Sequence, residues 1–321
     1  MMKANQTMQH LAKKKGGRVL VTGGAGFIGS HLVDLLLDEG LEVHVLDDLS
    51  SGKLDNIDSR AAFFPGDIGS PKDVQYAASG AGVVFHLAAK TSVPRSVDYP
   101  EESFAANVAG TINVLRAAQE VGARVVFASS SSVYGEPPAD GSPFLEGDRT
   151  APESPYAITK LTGEHLCRVW ERCHGVPSVS LRLFNVYGPR CAADGPYGLV
   201  IPRFIAGLSG EGSAPVVYGD GAQVRDFVHV ADVARAFLAA SQTDRSGAVI
   251  NVGSGAAVSV LSVLDAVAEG LGVEARAERL PPRPGDPRAT LANIDLASST
   301  LGWRPRVGFH QGVADLCRRT A

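Results

Sequence analysis

A glycine-rich turn follows the first apolar run of the chain, in the stretch RVLVTGGAGFIGS that begins at residue 18. The apolar run predicts a buried parallel strand, and the residues from 27 onward have the apolar spacing of a helix. Glycines between a strand and a helix let the backbone approach a diphosphate, to which the helix N-terminus presents unpaired N–H groups. The sequence therefore predicts a dinucleotide-binding turn built on Gly23, Gly26 and Gly29.

An acidic residue, Asp47, ends the second apolar strand, in the stretch VHVLD. Its distance along the chain from the glycine turn is the one at which a carboxylate bonds the two ribose hydroxyls of an adenine dinucleotide. No arginine directly follows Asp47 to receive a 2′-phosphate. The turn and the acid together predict NAD rather than NADP as the cofactor.

Composition and charge exclude several classes of partner. With 45% hydrophobic and 20% charged residues, the 321-residue chain resembles an ordinary globular protein and can form one large domain or two modest ones. Its formal net charge of −4 argues against binding to nucleic acid or to a membrane surface. No apolar run reaches the ~18 residues that a membrane-spanning helix needs. We therefore expect neither nucleic-acid nor membrane partners.

Cysteine and histidine usage predicts neither a metal site nor a disulfide framework. The eight histidines form no H-x-x-x-H pair, and the cysteines show no C-x-x-C spacing. Residues 1–17 lack the apolar stretch of a secretory signal and are predicted to be a disordered lead-in. These observations predict a reduced, metal-free, cytoplasmic protein. The cysteines are Cys167, Cys173, Cys191 and Cys317.

Apolar runs and helical patterns alternate along the chain after residue 17. This alternation predicts an α/β fold, a Rossmann-type doubly wound and mostly parallel sheet. The two longest predicted helices carry apolar faces wider than one sheet face would cover. We expect these faces to form a homodimer interface, with burial inside the monomer as the alternative. The predicted strands are 19–22, 42–47, 62–65, 83–87, 124–129 and 178–183, and the predicted helices are 31–39, 71–79, 100–121 and 155–174.

The composition changes after residue 185, where prolines and glycines interrupt every long element. This part predicts a small discontinuous C-terminal substrate-binding cap over the carboxyl edge of the sheet. The predicted NAD-binding domain comprises 18–185 plus 224–253, and the substrate-binding domain comprises 186–223 plus 254–321. Further predicted elements are strands at 224–229 and 248–252, helices at 204–208, 230–241, 259–271 and 313–317, and a proline-rich loop at 281–287.

Two residues four apart, Tyr156 and Lys160, stand at the start of a predicted helix in SPYAITKLTGEHL. This spacing places both on one helix face, where an ammonium group favours the phenolate and lowers the pKa of the phenol. Beside an NAD site, such a phenol can take the proton of an alcohol while a hydride leaves the same carbon. Tyr156 is therefore the candidate base and Lys160 its partner.

A run of serines ends the strand before this helix, in VVFASSSSVYG. Hydroxyls at the carboxyl end of a central strand face the ligand crevice of an open α/β sheet. We expect at least one serine of 129–132 to bond the reacting hydroxyl and to share its proton with Tyr156. Simple capping of the strand end is the alternative role.

Together these motifs resemble the extended short-chain dehydrogenase/reductase family, in its branch of nucleotide-sugar epimerases and dehydratases. The resemblance runs from residue 18 nearly to residue 303. It implies a UDP-sugar substrate and a bound NAD. The motifs that carry it, in order, are GGAGFIGS, DDLSSGK, GDI, FHLAAKTSVPRSV, NVAGT, SSSSVYG, SPYAITK, LRLFNVYGPR, RDFVHV, NVGSG and RPGD.

The resemblance also implies a role for individual residues. Ser130, Tyr156 and Lys160 would be catalytic. The residues implied at the cofactor are Gly23, Gly26, Phe27, Ile28, Gly29, Asp47, Asp67, Ile68, Leu87, Ala88, Ala89, Asn107, Tyr156, Lys160 and Phe184. Those implied at the substrate are Ser130, Ser131, Ser132, Tyr156, Asn185, Arg190, Val200, Tyr218, Arg225, Arg283 and Asp286.

Departures from the family pattern favour one reaction. The 4,6-dehydratases of the family resemble TDEVYG, and its decarboxylases tend to have Glu before VYG, whereas this chain has Ser131 and Ser132 there. Without an acid beside the sugar, a UDP-sugar 4-epimerase is the leading interpretation. The alternatives are a dehydratase or decarboxylase and a 4-ketosugar reductase. UDP-glucose and UDP-glucuronate are both candidate substrates, with Arg190 or Arg95 as carboxylate partner, although Arg190 can equally brace its loop.

Overall fold

The computed structural model describes residues 17–191, 200–282 and 288–320. Seven parallel strands form the central sheet in the order β3-β2-β1-β4-β5-β6-β10. This order confirms the predicted Rossmann-type sheet, whose ligand crevice opens where the order reverses between β1 and β4. The strands are β1 (Arg18–Thr22), β2 (Glu42–Asp47), β3 (Ala62–Pro65), β4 (Val83–His86), β5 (Arg124–Ser130), β6 (Ser178–Leu183), β7 (Asn185–Tyr187), β8 (Val216–Tyr218), β9 (Val224–His229), β10 (Ala248–Val252), β11 (Ala257–Ser259), β12 (Glu278–Leu280) and β13 (Ala289–Thr290).

Helices cover both faces of this sheet. None of them, over the residues that the structure describes, is long and apolar enough to cross a membrane. They are α1 (Phe27–Asp38), α2 (Pro71–Ala78), α3 (Val93–Asp98), α4 (Pro100–Phe104), α5 (Gly110–Val121), α6 (Pro155–His174), α7 (Val200–Ser209), α8 (Val230–Gln242), α9 (Val260–Leu271), α10 (Asp295–Leu301) and α11 (Phe309–Thr320).

Each face of the sheet has its own apolar core. On one face, Leu36 of α1 and Phe237 of α8 are fully buried against the strands. On the other face, Leu115 of α5 and Cys167 of α6 are buried in the same way. Because both faces of the strands are covered, their sequences are almost continuously apolar rather than alternating.

A close packing contact on the second face gives a stability prediction. A Cβ at Gly163 of α6 would lie 2.7 Å from Cε1 of the buried ring of Phe127 and closer still to Cζ. Gly163→Ala is therefore expected to destabilise the protein by about 1–3 kcal/mol, although alanine is the better helix former. Urea unfolding measures this, with Gly147→Ala as control because a Cβ there would have no described atom within 4 Å apart from its chain neighbours. Equal stability of the two variants would contradict the packing argument.

The sequence predicts one uninterrupted helix over residues 100–121, and this prediction is wrong. A π-helical turn, Ala105–Ala109, separates α4 from α5. Inside it, the side chain of Asn107 accepts a hydrogen bond from the backbone N–H of Lys90, donates to the carbonyl of Lys90 and donates to the hydroxyl of Thr159. These bonds tie the π turn to the segment after β4 and to α6, and π turns of this kind are frequent at functional sites.

The C-terminal half builds a smaller layer beside the sheet. Strand β9 pairs with β7, β11 and β13, and β8 pairs with β12. Of the stretch 224–253, which is predicted to belong to the NAD-binding domain, β10 joins the central sheet and α8 packs on it, whereas β9 belongs to the smaller layer. A separate core, which includes Phe204, Val217 and Val267, is buried between α7, α9 and α11. The predicted helices 204–208 and 313–317 lie within the longer α7 and α11.

Candidate active site

The glycine turn brings the backbone against the end of β4 with no side chain between them. Gly23 has a φ of +73°, and a Cβ there would lie 2.7 Å from the backbone N of Ala88. A Cβ on Gly29 would overlap the carbonyl oxygen of Gly23. The turn therefore leaves a cradle free of side chains at the N-terminus of α1, which fits the diphosphate of a dinucleotide.

Asp47 supports this cradle from the end of β2. Its carboxylate accepts hydrogen bonds from the backbone N–H groups of Ala25, at 2.9 Å, and Leu49, at 2.8 Å. Burial raises the pKa of Asp47, and these two N–H groups oppose that rise. The carboxylate thus braces the turn and also forms part of the adjoining cavity wall.

A cavity of about 930 Å³ runs past the glycine turn and the carboxyl ends of the central strands. Its volume is near the upper end of the range for small-molecule sites. Asn107, Val200 and Tyr218 are not in its wall within the described part of the chain. Arg283 and Asp286 lie outside the described residues. The other assigned residues, all of which line the cavity, are Gly23, Gly26, Phe27, Ile28, Gly29, Asp47, Asp67, Ile68, Leu87, Ala88, Ala89, Ser130, Ser131, Ser132, Tyr156, Lys160, Phe184, Asn185, Arg190 and Arg225.

Tyr156 and Lys160 enter this cavity from the first turns of α6. The helix is capped by Ser154, whose hydroxyl oxygen accepts a hydrogen bond from the backbone N–H of Ala157. Lys160 Nζ donates to the carbonyl of Ala128 at 2.9 Å and lies 5.8 Å from the centre of the Tyr156 ring. Burial lowers the pKa of Lys160 to about 8, so the ammonium is still present at pH 7. A cation at this position favours the phenolate of Tyr156.

The serine run continues β5 into a short turn at the same edge. Ser130 Oγ accepts hydrogen bonds from the backbone N–H of Ser132, at 3.2 Å, and from the Ser132 hydroxyl, at 2.9 Å. Since the oxygen of Ser130 accepts twice, its remaining capacity is to donate its own hydrogen. Ser131 also lines the cavity. The run thus presents hydroxyl groups, and no acid, to a ligand.

A buried ion pair that no sequence spacing indicates lies behind the serine run. Glu164 of α6 accepts two hydrogen bonds from Arg182 of β6, at 2.9 and 2.8 Å, and the two side chains are only 3% and 5% exposed. The hydroxyl of Ser129, next to Ser130, donates to the same carboxylate at 2.5 Å. The Arg182 guanidinium also lies over the ring of Tyr134. These contacts fix α6 relative to the serine run.

The two arginines considered as carboxylate partners are both paired within the protein. Arg190 lines the cavity, but its Nη1 lies 2.8 Å from the carboxylate of Asp34 on α1. Arg95 is exposed and forms two hydrogen bonds of 2.9 Å with Glu102. The salt bridge to Asp34 favours the interpretation that Arg190 braces its loop.

The cavity wall also holds hydroxyl residues that the sequence does not single out, among them Ser50, Ser51, Thr91 and Thr290. Thr290 of β13 lies opposite Arg225 in the register with β9, and both line the cavity. Thr290 Oγ1 is buried and has no hydrogen-bond partner within the described residues. A buried unpaired hydroxyl in a cavity wall is suited to bond a ligand. A single threonine in a two-residue strand carries no pattern that would have identified it.

The chain is similar to known proteins over most of its length. The model of the NAD dependent epimerase/dehydratase family matches residues 19–253. The UDP-glucose 4-epimerase of Mycolicibacterium smegmatis is 39% identical over 305 residues, covering 92% of this chain and 96% of that protein.

Two solved structures extend this similarity to the fold. The UDP-glucose 4-epimerase of Thermotoga maritima, solved with UDP-glucose, is 35% identical with a TM-score of 0.89, covering 94% of this chain and 99% of that one. The UDP-glucose 4-epimerase of Thermus thermophilus, solved with NAD, is 39% identical with a TM-score of 0.85, covering 95% of this chain and 100% of that one. The similarity therefore spans both the central sheet and the C-terminal layer.

Proposed function

The chain belongs to the NAD-dependent epimerase/dehydratase family, and from this premise we propose that it is a UDP-sugar 4-epimerase acting on UDP-glucose. The observation that carries the proposal is the acid-free serine run beside Tyr156 and Lys160. Elimination of water needs a general acid at the leaving hydroxyl, and Ser131 and Ser132 supply none. Epimerisation at C4 instead needs one group that takes and returns the proton of a single hydroxyl, which Tyr156 supplies, together with a hydride acceptor, which NAD would supply.

The protein residues divide the reaction between them. Tyr156, as phenolate, takes the proton of the sugar C4 hydroxyl and gives it back after the 4-keto sugar has turned its other face. The Lys160 ammonium, held by the Ala128 carbonyl, stabilises the phenolate. Ser130 donates a hydrogen bond to the same sugar oxygen. When bound against the glycine turn and Asp47, NAD would accept the hydride from C4 and would return it to the other face of the same carbon.

The identity of the sugar rests on Arg190 and Arg95, the two candidate partners of a sugar carboxylate. Arg190 is paired with Asp34, and Arg95 is paired with Glu102. A C6 carboxylate would have to displace one of these partners, whereas a neutral C6 hydroxyl would not. This charge balance favours UDP-glucose over UDP-glucuronate.

A product assay tests the function. Purified enzyme is incubated separately with UDP-glucose, UDP-glucuronate and their N-acetyl counterparts, and the products are separated by chromatography while absorbance follows reduced cofactor. We expect UDP-galactose from UDP-glucose with no net NADH. Loss of water or carbon dioxide would instead show a dehydratase or decarboxylase. Stoichiometric consumption of added NADH would show a reductase.

We include a homodimer and a cytoplasmic location in this proposal. Helices α3 and α4 pack against α6, and this outer surface exposes the apolar side chains of Val97, Tyr99, Phe104 and Ile158. Light scattering should give twice the chain mass of 33.5 kDa, and Phe104→Glu with Ile158→Glu should give the monomer. A monomeric parent protein would contradict the dimer.

The proposed cytoplasmic location rests on the cysteines. All four are free thiols, as expected in a reducing compartment.

A further inference from the structure

A buried histidine at the end of β4 has no part in the mechanism described above. His86 is only 1% exposed, and both of its ring nitrogens are hydrogen-bonded. Nδ1 lies 2.8 Å from the hydroxyl oxygen of Thr22 on β1, and Nε2 lies 2.9 Å from that of Thr111 on α5. The ring therefore links the strand that leads into the glycine turn with the helix that follows the π turn.

The direction of these hydrogen bonds follows from their outer partners. Thr111 Oγ1 lies 2.5 Å from the carbonyl oxygen of Asn107, which can only accept. The Thr111 hydroxyl therefore donates its one hydrogen to that carbonyl, so its oxygen accepts a hydrogen bond from a protonated Nε2 of His86. Thr22 Oγ1 accepts from the backbone N–H of Ala88 at 3.3 Å and directs its own hydrogen to an unprotonated Nδ1. With these directions, every donor in this series of hydrogen bonds has one acceptor.

The surroundings of His86 favour the neutral ring. Neither ring nitrogen has a carboxylate partner among the described residues. Burial, and then the positive charge of Lys160, lower the pKa of His86 to about 3. A buried imidazolium without a counter-ion would be costly, which agrees with the single-proton arrangement that the hydrogen bonds require.

The chain of hydrogen bonds ends at the catalytic base. The side chain of Asn107 holds the backbone N–H and carbonyl of Lys90, at 2.7 and 2.9 Å, and donates to Thr159 Oγ1 at 2.9 Å. Thr159 Oγ1 in turn donates to the carbonyl of Tyr156 at 2.7 Å. One connected set of bonds therefore joins the cavity wall at residues 88–90 to the first turn of α6.

We propose that His86, held as the neutral Nε2–H tautomer, is a positioning residue that fixes the cavity wall at residues 88–90 relative to Tyr156. The inference rests on the proposed epimerase function, because its effect is on the geometry of that reaction. The ring must donate on one side and accept on the other, because Thr111 needs a donor and Thr22 needs an acceptor.

Kinetics of three variants test the proposal. His86→Phe keeps a ring of similar size but leaves both threonine hydroxyls without their partner, and kcat should fall by about tenfold to a hundredfold because the reacting groups lose alignment. KM for UDP-glucose should change by less than about twofold, since the substrate contacts remain. His86→Gln supplies one donor and one acceptor and should recover most of kcat. His44→Phe is the matched control. Among the described residues, the ring nitrogens of that buried imidazole contact only the carbonyl of Ala77 and the carboxylate of Glu42.

A folded His86→Phe variant with unchanged kcat, or a loss of kcat equal to that of His44→Phe, would overturn the proposal. If His86→Phe does not fold, nitrogen-15 NMR of the unmodified enzyme at pH 7 decides it. The proposal requires a protonated Nε2 and an unprotonated Nδ1 on His86, and the opposite tautomer or an imidazolium would overturn it. If the unmodified enzyme interconverts no UDP-sugar, the proposed function fails, while the NMR result still reports on the tautomer.

Discussion

Tyr156→Phe is expected to reduce epimerisation of UDP-glucose by about a hundredfold to ten thousandfold, because the variant has no group to take and return the C4 proton. The ring itself is retained, and the backbone N–H of Tyr156 still donates to the hydroxyl of Ser96. The fold and the affinity for the UDP-sugar should therefore be nearly unchanged. Chromatographic separation of UDP-glucose and UDP-galactose gives the rate, and circular dichroism checks the fold.

Tyr187→Phe is the matched control for this experiment. Tyr187 is buried as well, but it belongs to the core of the C-terminal layer, where its hydroxyl donates to the carbonyl of Phe309. Its replacement removes one buried hydroxyl without touching the cavity wall and should leave kcat near that of the parent. If Tyr156→Phe retained more than about a tenth of the parent rate, general-base catalysis by Tyr156 would be excluded.

Arg182→Leu is expected to lower the free energy of unfolding by about 3–5 kcal/mol, because it leaves the carboxylate of Glu164 buried without a counter-ion. The only other side chain bonded to that carboxylate among the described residues is Ser129. Urea unfolding at a fixed protein concentration measures the change. Since the pair lies directly behind the serine run, loss of activity should accompany loss of stability.

Two further variants separate burial from pairing. Arg288 and Asp220 form the same two-bond geometry, at 2.8 and 2.9 Å, but their side chains are 66% and 60% exposed. Arg288→Leu should therefore cost less than about 1 kcal/mol. Replacing both Glu164 and Arg182 with Met removes the unpaired charge and should recover much of the stability. An effect of Arg182→Leu no larger than that of Arg288→Leu would contradict the argument.

Much of the nucleotide-binding half could be predicted because its signals are local. The glycine spacing specifies a turn within seven residues, and the Tyr156–Lys160 spacing specifies one helix face within a single turn. The alternation of apolar runs with helical patterns was sufficient for the sheet, because each strand must be buried on both faces. The structure places both local motifs in the wall of one cavity.

The groups that support these motifs were not predictable in the same way. The partners of Arg182, Arg190 and His86 lie on other elements, 18, 156 and 64 positions away for Glu164, Asp34 and Thr22. The π turn at Asn107 is not marked by its own sequence either, and the side chain of Asn107 bonds Lys90 and Thr159, which lie on other segments.

The sequence alone therefore determined the class of fold, the dinucleotide turn and the identity of the candidate base, all of which depend on neighbours within a few residues. Only the tertiary structure decided that Arg190 is paired with Asp34, that Thr290 joins the cavity wall, and that His86 has a single consistent tautomer. The physical reason is that a hydrogen bond or ion pair between distant segments depends on how strands align and helices pack. That alignment is a property of the whole folded chain rather than of any one stretch.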